Sequence, residues 1–229
     1  MNNTFSGHKR IEAKDKRQIT KDWLSFFPEF REYKPMHLIR RNGAFLCGIL
    51  LKRYSGNIDY EPIFHIHNLM IDDDNSSSMS LGAVTNLLNR KGARDSVTLF
   101  QHKTDFYSYA ERLKQQVSLL QKKTLGCDEL VSYIKIQREH FFDYQVYDFQ
   151  NIVLALFWCG KVAEAEKELE NAKKIISKWD ESTWVIRHLG VEGWEQQVRQ
   201  LMNMDTLKAN VEMQLSKYKL EKFTDYKFE

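Results

Sequence analysis

Asn42-Gly43, set between the apolar runs MHLIRR (36–41) and AFLCGILLKRY (44–54), constrains this chain more than any other dipeptide in it. Asn and Gly tolerate the positive φ that a two-residue type I′ turn requires at both central positions, and the twist of paired strands favours that turn. A β-hairpin is expected, with Arg41 facing Ala44, so that paired positions sum to 85. A second turn at Gly56-Asn57 leads into residues 58–69, with Ser55 facing Ile58 and a sum of 113. The result is a three-stranded meander, and SVTLFQH (96–102) reads as a fourth strand.

Side chains alternate along a strand, so this register sorts the meander into two faces. Leu38, Phe45, Cys47, Ile49, Phe64 and Ile66 share one, a credible core. His37, Leu46, Leu50, Ile63, His65, His67 and Leu69 share the other, with His37 and His65 flanking Gly48 in one row. Two strand spacings are about 9.6 Å, and imidazoles leaning over a residue without a side chain narrow that gap. His37, His65 and His67, joined by an aspartate from the following loop, are the candidate metal ligands. Neutral imidazoles with a carboxylate suit zinc, iron or nickel, and an open coordination position allows hydrolytic or oxidative chemistry. The alternative is that these histidines are satisfied polar residues on a covered strand face.

The rest of the chain reads as helix. Thr20 caps a short helix that ends before Pro28, and SLGAVTNLLNRKG (80–92) suggests another, capped by Ser78 or Ser80 and stopped by Gly92. From Thr104 onward, Phe106, Tyr109, Leu113, Val117 and Leu120 recur at helical period, and further helices are expected near 127–143, 146–158, 161–178, 192–203 and 206–222. Strands first and helices afterwards argue for an α+β fold: a small antiparallel meander of three to four strands packed with helices, then a mostly helical C-terminal half. Residues 1–125 hold 20 basic and 13 acidic side chains, and 126–229 hold 14 and 18, for a total of +3. That asymmetry suggests regions 1–125 and 126–229, either as two domains or as one continuous domain.

Several function classes lack support. The opening MNNTFSGHKRIEAKDKRQITKDW is polar and basic, unlike a secretory signal, and no run approaches the apolar length of a membrane span, so a soluble cytoplasmic protein with no membrane partner is expected. Cys47, Cys127 and Cys159 show no CxxC spacing, which argues for reduced thiols. GxSxG, GxxxxGK[ST], HExxH and GxGxxG do not occur. Read as a calcium loop from Asp72, the chain has Ser77 where glycine is needed and Ala83 where glutamate is needed. Asp72, Asp73 and Asp74 are then a solvated loop or an acidic contact surface, with Arg40 and Arg41 as basic contact candidates beside the Asn-Gly turn. The basic N-terminal arm from His8 to Arg17 lacks the interleaved aromatics that stack on bases, so nucleic acid is not the favoured partner.

YDFQNIVLALFWCGKVAEAEKELENAKKII (147–176) carries Phe149, Ile152 and Leu156 on a first helix, Gly160 near a turn, and Ala165, Leu169 and Ala172 on a second. This stretch resembles a degenerate tetratricopeptide repeat, departing from the pattern at Val153 and Ser177. The resemblance covers one repeat length and implies an antiparallel helix pair suited to gripping a protein segment. The expected function is a cytosolic protein-binding module without a cofactor, most concretely a bacterial immunity or inhibitor protein that masks a toxin. A metal-dependent enzyme using the histidine patch is the alternative, and a nucleic-acid-associated factor the third reading.

Overall fold

The computed structural model describes residues 10–53, 58–72, 79, 82–140 and 146–229. Within them the fold is α+β: α1 (Ala13–Phe26), β1 (Arg31–Lys34), β2 (His37–Asn42), β3 (Phe45–Lys52), β4 (Asp59–Asn68), β5 (Gly82–Asn86) and β6 (Val97–Thr98) come first. Then follow α2 (Leu99–Gln116), α3 (Cys127–His140), α4 (Val146–Trp158), α5 (Val162–Ile176), α6 (Trp184–His188), α7 (Gly190–Leu201) and α8 (Met204–Lys217). The strands form one sheet in the order β1-β2-β3-β4-β5, with β6 also paired to β4.

The expected hairpin forms, but its turn lies one residue later, at Gly43-Ala44. Of these two residues only Gly43 has positive φ, +55°, the pattern of a type II′ turn with glycine leading. Asn42 is instead the last residue of β2, fully buried, and its amide donates to the carbonyls of Lys123 (2.8 Å) and Lys227 (3.0 Å). Leu51 N–H donates to the Met36 carbonyl at 2.8 Å, so β2 and β3 pair with a sum of 87 instead of 85. A slip of two residues leaves every side chain on its expected face, because the period of a strand is two. Both alternating sets are buried, Leu38, Cys47 and Phe64 as much as Leu46, Ile63 and Leu69. Sheets covered on both sides read as continuous apolar runs, as AFLCGILL does here.

Four local readings change. α1 begins at Ala13, where Asp15 accepts a hydrogen bond from the Glu12 N–H at 2.9 Å. Thr20 lies inside the helix, its hydroxyl donating to the Lys16 carbonyl (2.7 Å) and accepting from the Met36 N–H (2.9 Å). A threonine that back-bonds within a helix carries the same residue signal as one that caps it. Residues 31–34, not expected as a strand, form β1; it reverses into β2 through Pro35-Met36, with Met36 at φ +69° as the third position of a type II turn requires. Gly82–Asn86 is a strand where a helix was expected, and the proposed caps Ser78 and Ser80 lie outside the described residues. The fourth expected strand shrinks to Val97–Thr98, because Thr98 caps α2 in a reciprocal pair with Gln101.

The chain comprises two compact units. One takes in residues up to Arg40, Cys47–His65 and Val84–Gln121. Its core holds Ile19 and Trp23 of α1 and Phe27 just beyond it, with Leu38, Ile49, Tyr60 and Phe64, Trp23 stacking on Phe27 at 6.0 Å. The other takes in Arg41–Leu46, Ile66–Ala83 and Lys122–Glu229. There α4 and α5 pack across a three-residue link in which Gly160 adopts φ +75°, burying Ile152, Leu156, Ala165, Leu169, Ala172 and Ile176. A C-terminal segment beyond α8 lies along Leu125, and Phe228 meets Phe45 edge-on at 5.0 Å.

Candidate functional site

Gly48 sits where β3 passes beneath two imidazoles. His37 Nε2 and His65 Nε2 are 2.8 Å apart, and a Cβ placed on Gly48 would fall 2.0 Å from His65 Nε2. His65 is buried and His37 half-buried, with the Tyr33 ring edge-on to His37 at 5.5 Å. Tyr33 reaches that position through a bulge in the β1–β2 ladder between Glu32 and Lys34. A nitrogen–nitrogen separation of 2.8 Å is a hydrogen bond, in which one ring donates and the other accepts. Two nitrogens on one zinc, each at about 2.1 Å, sit about 3.4 Å apart in tetrahedral geometry. His67, the third expected ligand, is buried with its ring edge-on to Tyr218 at 5.4 Å. Among the described residues no group of three or more His, Cys, Asp or Glu side chains is arranged to hold a metal ion.

The expected contact residues have separate surroundings. Arg40 is buried and faces inward: its guanidinium donates to the Leu119 carbonyl (3.0 Å), lies over the Phe30 ring (5.3 Å) and is 3.8 Å from Glu29. Arg40 Nη2 also lies 3.6 Å from Cys47 Sγ, whose thiol is pushed up by burial. Arg41, partly exposed, pairs with Asp225 at 3.4 Å. Asp72 accepts from Gln214 Nε2 at 2.9 Å, while Asp73 and Asp74 lie outside the described residues.

A buried polar chain escaped the sequence reading. Trp23 Nε1–H donates to the Tyr60 oxygen (3.0 Å), Tyr60 O–H to His102 Nδ1 (2.8 Å), and His102 Nε2–H to Asp22 (3.0 Å). These directions are consistent for a neutral imidazole, and burial lowers the His102 pKa against the opposing pull of Asp22. Burial also raises the Tyr60 phenol. The order acid, histidine, hydroxyl resembles a nucleophile-activating chain, but Tyr60 is 1% exposed, so no substrate reaches its oxygen. Its partners are 37, 42 and 80 residues apart in pairs, which leaves no local pattern to find.

The helical unit presents an open concavity of about 360 Å³. Lys135 and Arg138 line it from α3, Phe149 from α4, and Glu168, Asn171, Lys174 and Ile175 from α5. The Arg138 guanidinium lies 4.2 Å from the centre of the Phe149 ring, and Lys135 pairs with Glu168 at 2.5 Å. Three cations against one carboxylate make the groove basic, while Ile175 (41% exposed) leaves apolar surface on it. A second hollow of about 480 Å³ is lined by Glu192, Glu195, Gln196, Arg199 and Gln200. There Arg199 is held by Glu166, Glu195 and Glu170, an ionic network bridging α5 and α7. Compared with known protein families, curated proteins and solved structures, the chain shows no match.

Proposed function

We propose that this chain is a protein-binding module whose gripping surface is the basic, partly apolar groove on α3, α4 and α5. The observation that carries the reading is the combination of Lys135, Arg138 and Lys174 with exposed Ile175 around one concavity. Exposed apolar side chains rimmed by charge suit a protein segment, and the excess of cations selects one with acidic residues next to an apolar side chain. In its most concrete form the chain is a bacterial immunity or inhibitor protein, the acidic segment belonging to the toxin it masks.

The test places a photo-crosslinking amino acid at Ile175 in the native host. A discrete adduct to one protein is expected, reduced about tenfold when Arg138→Glu and Lys174→Glu are combined, because rim charges govern encounter and register. An adduct indifferent to charge reversal, or one formed equally from exposed Phe100, overturns the reading. The alternative reading, a metal-dependent enzyme, would need His37 and His65 to exchange their 2.8 Å hydrogen bond for metal ligation. Near-stoichiometric zinc on the purified chain, lost in His65→Ala, is the result that replaces the first reading with the second.

A further inference from the structure

The three cations of the α3–α5 groove are not equivalent. Lys135 is committed to Glu168 at 2.5 Å, whereas the side chains of Arg138 and Lys174 enter no hydrogen bond or ion pair among the described residues. The Arg138 guanidinium lies over the Phe149 ring at 4.2 Å, and that ring is buried, with Trp179 beside it at 6.0 Å. Stacking engages the flat face of a guanidinium and leaves its N–H edge for a ligand, in the planar fork that suits two oxygens of one group. Lys174, exposed on α5, lines the same concavity, and Ile175 follows it directly in the chain.

We propose that this groove is a phosphomonoester site, which takes a protein segment by a phosphorylated serine or threonine next to an apolar side chain. The inference rests on the groove being the gripping surface and adds the chemistry of what is gripped. Three lining cations against Glu168 leave an excess of two positive charges. Asp148, the residue before Phe149, is buried and lies outside the lining. A phosphoserine carries about −1.5 to −2 charges at pH 7 and three acceptor oxygens, enough for the Arg138 fork and for Lys174 together. One carboxylate carries a single charge and two oxygens, so it saturates the fork and leaves Lys174 unanswered. Ile175 meets the apolar neighbour of the phosphorylated residue.

The experiment measures fluorescence anisotropy of labelled peptides with the full-length chain, at about pH 7.5, where the phosphomonoester is close to its dianion. The probe Gly-Ala-phosphoserine-Leu-Gly should bind at least about tenfold more tightly than the same peptide with Glu-Glu in place of phosphoserine, which matches it in charge. Arg138→Lys keeps the charge and removes the fork, so it should weaken the phosphopeptide at least about tenfold and bring it level with the Glu-Glu peptide. Lys174→Ala, at an exposed position that folding does not depend on, should weaken the phosphopeptide more than the Glu-Glu peptide. Equal binding of the two peptides, or variants that bind the phosphopeptide as the parent does, overturns the phosphate assignment and leaves an acidic segment as the ligand. Binding of neither peptide overturns it too, and the crosslink from Ile175 decides separately whether the groove grips a protein.

Discussion

Replacing Gly48 with alanine tests how the sheet holds its two histidines. The new Cβ would lie 2.0 Å from His65 Nε2, 2.3 Å from Cε1 and 2.8 Å from Cδ2, so the ring itself must move. His65 is fully buried, and no freely bending tail exists to absorb the shift. Overpacking of this kind costs about 1–3 kcal/mol. Displacing the ring also breaks the 2.8 Å bond to His37 inside the protein, worth about another 1 kcal/mol. Gly48→Ala should therefore lower stability by about 2–4 kcal/mol, read as a lower urea midpoint at unchanged slope. His65→Ala alone should also destabilise, by loss of packing and of the hydrogen bond. The double variant should be less damaging than the two single effects added, with a coupling of at least about 1 kcal/mol, because alanine at 65 leaves room for the methyl group. Additive effects, or a Gly48→Ala midpoint within experimental error of the parent, would refute the geometry on which the argument stands.

Asp148, buried beside Arg138 and accepting from the Ala83 N–H, has its pKa raised from 3.8 to about 6, chiefly by burial. A carboxyl whose folded pKa is raised supports folding when protonated, so the chain should be most stabilised by this group below pH 4 and should lose that contribution as pH rises through about 6. The loss amounts to about 3 kcal/mol. Asp148→Asn should flatten this part of the profile in denaturant melts from pH 4 to 8, and a profile unchanged by the substitution is the contrary result. Tyr60→Phe leaves Trp23 Nε1–H and His102 Nδ1 without the shared hydroxyl, at a cost of about 2–3 kcal/mol in unfolding free energy. Asn42→Ala removes the donor to two carbonyls at the end of β2 and should cost about 1–3 kcal/mol, with faster amide exchange at Leu125 and Glu229.

What the amino-acid order determined by itself was local and periodic. Apolar runs on both sides of Asn42-Gly43 announced a hairpin, and helical spacing placed α3, α4, α5, α7 and α8 within a few residues of where they fold. Those signals survive in one sequence because the backbone period repeats within each element. The strand parity that set His37 and His65 on one face with Gly48 is of the same kind, and it tolerated a turn misplaced by one residue.

Only the tertiary structure decided which residues acquire partners. Asn42 looked like a turn residue and became a buried donor, because carbonyls of Lys123 and Lys227 arrive from positions 81 and 185 residues away. Arg40 looked like a surface cation and became a core guanidinium over Phe30. Gly82–Asn86 carries a helix-like pattern yet lies in the sheet, since pairing with β4 outweighs a propensity worth a few tenths of a kcal/mol per residue. The basic groove arises in the same way: it is assembled from α3, α4 and α5, and no spacing in the chain encodes a distance that packing alone creates.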